Sequence, residues 1–138
     1  MEVFYMKDEY VFPAIVYFDN DGISIEFPDL PGCLSCAKNE NEILKCAKEA
    51  LGVHLYGMEE DNDVIPEPSS IKDIKPEENG VIMLVNVFMP AVRDRIRNHF
   101  IKKTLSIPYW LNIAAEQQGV NFSGVLQNAL KEYLHIVE

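Results

Sequence analysis

The residues with the means to do chemistry fall into four groups. Cys33 and Cys36 stand at the C-x-x-C spacing used by zinc and redox sites. Zinc would need two further ligands. Cys46 and His54 are available, but they lie eight residues apart on one helix. That is roughly 12 Å along the axis, too far to share an ion easily. A redox pair would want a helix start directly behind it, and the helix cap at Asn39 comes too late for Cys36. The plainer reading is three small, mostly buried side chains. Asp19, Asp21, Glu26 and Asp29 form a second group around a turn. Paired carboxylates can bind Mg²⁺ or do acid–base work. The plainer reading is a solvated turn on an acidic protein-binding face.

The third group is His54, His99 and His135, which are separate in the chain, and no serine or cysteine has a nucleophile-elbow context. No Gly-rich phosphate loop is present either. No catalytic residue, metal site or cofactor is therefore assigned. The fourth group is the basic stretch Arg93 to Lys103, directly before a strand whose free face is Lys102, Thr104 and Ser106. Paired with its twin from a second subunit, that strand makes a two-stranded ribbon that fits the major groove of DNA. The plainer reading is a dimerisation tail.

The elements that carry these groups can be read in order. Tyr10 to Phe18 is almost wholly apolar and reads as a buried strand, with Pro13 demanding an edge or a bulge. Asp19-Asn20-Asp21-Gly22 is a hairpin turn, and Ile23, Ile25 and Phe27 alternate after it. Pro28 to Cys33 is a rigid turn, and a short strand follows through Leu34 to Ala37. Asn39 and Glu42 have capping-box spacing before a helix of about five turns. The acidic run Glu59-Glu60-Asp61 opposes the helix dipole and predicts fraying at that end. Asn62 to Asn79 reads as a loop. Val81 to Met89 is the most apolar strand and is expected at the centre of the sheet.

At the C-terminal end, Leu105 and Ile107 alternate with polar residues and Pro108 stops the strand. Trp110, Leu111, Ala114 and Ala115 recur at helical spacing. Gly119 ends that helix and Asn121 caps the next, which carries Phe122, Val125, Leu126, Ala129, Leu130 and Tyr133. A short strand and two short helices bury too little surface to fold alone.

The 138 residues suit one ordinary domain or two small ones. Residues 1–90 hold 6 Lys+Arg and 18 Asp+Glu, a net of -12; residues 91–138 hold 6 and 4, a net of +2. An acidic front and a mildly basic rear imply two partners. The boundary is expected over 91–100, a stretch that reads as a basic linker or a short helix, between a domain over 1–90 and another over 101–138. No apolar run reaches membrane length, and Met1 to Asp8 has no signal pattern, so a cytoplasmic location is the default.

Two resemblances converge on these elements. Lys102 to Leu134 resembles a ribbon-helix-helix DNA-binding domain, carried by Leu105, Ile107, Pro108, Leu111, Ala114, the Gly119-to-Ser123 turn, Leu126, Ala129 and Leu130. Tyr10 to Ser70 resembles the HicB antitoxins. The carriers are the Asp19-to-Gly22 turn, the Phe27-to-Cys33 turn, Ala47-to-Leu51, and Glu59-Glu60-Asp61 leading to Pro66-Glu67-Pro68-Ser69. The resemblance implies an α+β fold: a small sheet of about four strands with one packed helix, curtailed ribonuclease-H-like and without a working active site, plus the ribbon-helix-helix domain. It implies a non-enzymatic antitoxin that masks HicA, a small basic mRNA-cleaving toxin, and represses its own operon as a homodimer or tetramer. Lys102, Thr104 and Ser106 would then face base edges, and the backbone at Asn121, Phe122 and Ser123 would hold a phosphate. The rival reading is a dimeric ribbon-helix-helix regulator with a small-molecule-sensing front domain. A metal-dependent nuclease using the hairpin carboxylates is a second rival.

Overall fold

The computed structural model describes residues 7–137. The expectation about a leader over Met1 to Asp8 falls almost wholly outside the described residues. The chain forms two compact units, Met1–Arg97 and Asn98–Glu138.

The first unit begins with β1 (Glu9–Asp19), β2 (Gly22–Glu26) and β3 (Leu34–Ala37). Helix α1 (Ile43–Glu60), strand β4 (Gly80–Phe88) and helix α2 (Met89–Arg97) follow. The sheet order is β3-β2-β1-β4, with every pair antiparallel. The hairpin turns on two residues, Asn20 and Asp21, with Asp19 opposite Gly22. Gly22 takes φ +139, which a β-carbon would resist. Alternation then sorts the strands. Phe12, Ala14 and Val16 join Ile25, Val85 and Val87 on one face, and Ala47, Leu51 and Leu55 of α1 pack onto it. Gly52 lets α2 come close, since a β-carbon there would stand 3.1 Å from a Val92 methyl.

Two expectations, on β4 and on Asn39, need correction, and two others, on Pro13 and on 91–100, take a particular form. Strand β4 lies at an edge, not the centre, because among the described residues its only sheet neighbour is β1. Its apolar character reflects contact with α1 and α2 on one face and a second apolar face around Ile15 and Leu84. Pro13 sits in a strand with neighbours on both sides, but the β2 ladder starts only at Ile15. At Pro13 the strand has one neighbour, which is the edge condition a proline needs. Asn39 does not cap the long helix. A 3-10 turn over Glu40–Glu42 intervenes, and the Asn39 side chain makes no capping hydrogen bond. Of the two readings of 91–100, the helical one describes most of the stretch, as the greater part of α2, in which Met89 and Val92 are buried.

In the second unit, α3 (Tyr109–Gln117) and α4 (Phe122–Tyr133) are joined as expected. Gly119 takes φ +65, and the Val120 N–H closes onto the Ala115 carbonyl at 3.1 Å. Asn121 caps α4 by accepting from the Gly124 N–H at 3.2 Å. Residues 101–108 carry no strand in the single chain. A strand is defined by its ladder, and this stretch has none among the described residues.

Candidate functional site

The hairpin carboxylates do not converge. Asp19 and Asp21 lie at the tip of the β1–β2 hairpin, while Glu26 is the last residue of β2 and Asp29 lies beyond it. Five residues of strand separate the two pairs, roughly 15 Å. Glu26 accepts from the Tyr17 hydroxyl at 3.2 Å. Asp29 accepts from the Ser69 N–H at 2.9 Å and the Ser69 hydroxyl at 2.5 Å. Asp29 therefore ties the loop after α1 to the turn before β3. This pairing joins two motifs forty residues apart, and the sequence held no signal of it beyond their presence. Among the described residues no group of His, Cys, Asp and Glu could hold a metal ion.

The cysteines are all free. Cys33 is buried in the core, and its thiol points to the Ala50 carbonyl at 3.7 Å. Burial pushes the Cys33 pKa up to about 11. Cys36 is exposed on β3 and Cys46 half-buried on α1. At pH 8 a thiol reagent should modify Cys36 first, while Cys33 stays unreacted until the protein is unfolded. Peptide mass spectrometry after timed alkylation checks this order, and early modification of Cys33 would contradict its burial.

The basic stretch proves to be divided. Arg93 forms a two-pronged pair with Glu59, with Nε to Oε2 at 2.9 Å and Nη2 to Oε1 at 2.7 Å. Its Nη2 also donates to the Lys7 carbonyl at 2.8 Å. The side chains of Arg93 and Glu59 are 12% and 6% exposed, so the pair is largely out of water. The hydrogen bonds to Glu59 push the Arg93 pKa further up, so the guanidinium stays charged. One turn on, Arg97 reaches Glu60 at 3.2 Å and the Tyr56 hydroxyl at 3.3 Å, and lies over the Tyr56 ring. Two arginines from α2 thus neutralise the two glutamates that end α1. The expected fraying does not occur, and α1 stays helical to Glu60. The available signal was the four-residue spacing of Arg93 and Arg97, one helical turn apart.

With the boundary at Arg97, the charge division changes. Residues 1–97 hold 9 Lys+Arg and 19 Asp+Glu, a net of -10, and residues 98–138 hold 3 of each, a net of zero. The front remains acidic, but the rear is neutral rather than basic.

Lys102, Thr104 and Ser106 are exposed, within the stretch that has no strand in the single chain. Asn121, Phe122 and Ser123 are together at the start of α4 and are also exposed. The N–H groups of Phe122 and Ser123 have no hydrogen-bond partner among the described residues. No described residue of the second unit is buried. Trp110 is 69% exposed and Tyr133 81%. Phe122, Val125 and Leu130 are also open to solvent, as the α3–α4 pair lacks a covering surface.

Comparison with known proteins places this architecture. The profile of a family described as the HicB-like antitoxin of a bacterial toxin–antitoxin system matches residues 12–129. A curated relative is an uncharacterized 14.9 kDa protein in the rep-hol intergenic region of Haemophilus phage HP1, 34% identical over 77 residues. That match takes in 54% of this chain, and the chain spans only 58% of that relative's length. Among solved structures, a toxin–antitoxin complex from Streptococcus pneumoniae is similar with TM-score 0.56 and 24% identity, over 91% of this chain and 99% of that one. The Burkholderia pseudomallei antitoxin HicB is similar with TM-score 0.52 and 23% identity, over 91% and 98%. The two structures share the fold, and the profile spans both units from β1 into α4: the chain belongs to the HicB-like antitoxins of bacterial toxin–antitoxin systems.

Proposed function

We propose that this antitoxin masks a HicA-like, mRNA-cleaving toxin with its acidic first unit and represses its own operon through a ribbon-helix-helix dimer built by the second. It acts by binding, and the sheet is a curtailed ribonuclease-H-like scaffold without a working active site. The carrying observation is a second unit that buries no described residue of its own. Paired with a second copy, residues 102–107 would gain the ladder they lack, and α3 and α4 would gain a core. Lys102, Thr104 and Ser106 would then lie on the ribbon's free face, and the unpartnered N–H groups at Phe122 and Ser123 would take a phosphate. The net charge of -10 on residues 1–97 would steer a basic, RNA-binding partner and compete with its RNA.

The test is a chain ending at Arg97, compared with the full chain. The core clusters within residues 12–92, so the short form should fold. It should be monomeric by light scattering, should still neutralise a HicA-like toxin in a growth assay, and should no longer bind operator DNA. A tightly dimeric short form would move the main interface to the front of the chain. Loss of neutralisation in a folded short form would reassign toxin masking to the second unit.

A further inference from the structure

Strand β1 outruns its neighbour. β4 pairs with it from Glu9 to Tyr17, whereas β2 pairs only from Ile15 to Asp19. Among the described residues, β1 therefore has a sheet partner on one side only from Glu9 to Ala14. The hairpin gives the direction of the unpaired groups. In a two-residue loop the closing residues, here Asp19 and Gly22, face each other through their backbone hydrogen bonds. Backbone direction alternates along a strand. Asp19, Tyr17 and Ile15 thus turn their peptide groups toward β2, and Pro13, Val11 and Glu9 turn theirs to the same side, where β2 is absent. Pro13 agrees with this phase, since its missing N–H then costs no bond to β4. The Met89 N–H donates to the Asp8 carbonyl at 2.7 Å, which continues this phase and turns the Glu9 and Val11 N–H groups away from β4, and no bond outside the ladder engages them among the described residues.

These groups border a hollow of about 530 Å³ whose opposite wall is the loop over 62–68. Val64 in that wall is 90% exposed. Glu9, Asp63 and Glu67 line the hollow with carboxylates, Lys7 lines it as a cation, and Glu59 is already engaged by Arg93. The hollow thus combines a free strand edge, an uncovered apolar wall and an acidic rim.

We propose that this slot accepts an extended, basic segment of a partner protein as an added strand along Glu9 to Val11, the exposed stretch that ends where Phe12 and Pro13 become buried. Resting on the antitoxin reading above, that segment belongs to the toxin. Main-chain bonds to Val11 and Glu9 would supply the grip. Alternate side chains would meet Val64 on one side and the Asp63 and Glu67 carboxylates on the other. A second copy of this chain is the poorer occupant, because each copy would bring its own net charge of -10 on residues 1–97.

The experiment uses the full chain and a HicA-like toxin whose catalytic histidine is replaced by alanine. Hydrogen exchange is followed with and without toxin, and affinity is measured by calorimetry for the wild type, Val11→Pro and the Asp63→Lys/Glu67→Lys double variant. The Val11 amide should exchange freely in the chain alone and slow at least about tenfold on saturation. Val11→Pro removes a donor into the slot and none toward β4, and should weaken binding about tenfold. The double variant should weaken it at least about tenfold, by an amount that shrinks as salt rises. Asp63 and Glu67 lie on an exposed loop, so this variant decides the matter should Val11→Pro misfold. Toxin that binds the wild type and both folded variants alike, with Val11 unprotected, overturns the slot and leaves the antitoxin reading standing. Toxin that does not bind the wild type overturns both. Val11 protection that grows with chain concentration in the absence of toxin overturns the toxin as occupant in favour of a second copy.

Discussion

Replacing Arg93 with alanine should destabilise the first unit by about 3–5 kcal/mol, the usual cost of leaving one partner of a buried ion pair alone. The loss has a specific origin. Glu59 is 6% exposed and would keep its charge with neither water nor guanidinium to meet it. The Lys7 carbonyl would lose its donor as well. Lysine should rescue only part of this, since an ammonium cannot reproduce the two parallel bonds at 2.7 and 2.9 Å. Arg97→Ala provides the contrast. Its pair with Glu60 is half exposed on both sides, so water screens it and its loss should cost far less than that of Arg93. Urea unfolding of the full chain, followed by tryptophan-independent far-UV signal, measures all three. Equal losses for Arg93→Ala and Arg97→Ala would show that burial is not what gives the first pair its weight.

The second large effect belongs to DNA. Changing Lys102, Thr104 and Ser106 together to alanine should lower operator affinity by at least about a hundredfold, since each reading contact carries roughly 1–3 kcal/mol and a dimer presents each one twice. Toxin neutralisation should be unaffected. Fluorescence anisotropy with the operator, at one stated salt concentration, gives the affinity, and light scattering shows that the variant still pairs. The salt dependence carries further information. With Lys102 and Lys103 as the two lysines of the proposed ribbon in each copy, the slope of log affinity against log salt should be about -4. Operator binding that survives the triple change would mean that another surface reads the DNA.

Much of this fold is legible in local pattern. The hairpin follows from an apolar run, a two-residue polar turn and an alternating return. The α3–α4 pair follows from Gly119 and Asn121, whose conformations the turn demands. What local pattern cannot supply is the identity of neighbours. An apolar strand such as β4 announces burial on both faces but not its place in the sheet, which depends on where β1 lies after a long excursion. The acidic end of α1 reads as a defect until Arg93 is placed beside Glu59, thirty-four residues earlier. For the same reason the basic stretch reads as a DNA-facing linker, although two of its three arginines are spent inside the first unit. Asp29 reads as a possible catalytic carboxylate because its structural partner, Ser69, lies outside any local window. The stretch over 101–108 differs in kind: it has no strand among the described residues, and the proposed ribbon would take its ladder from a second copy.

The bare helices of the second unit carry a consequence for dosage. If α3 and α4 gain their core only from a second copy, the population able to hold the operator rises with the square of chain concentration at low levels. Toxin masking by the first unit rises in simple proportion. As the antitoxin becomes scarce, repression would therefore lapse before neutralisation does. New transcription would begin while the remaining chains still held the toxin in check.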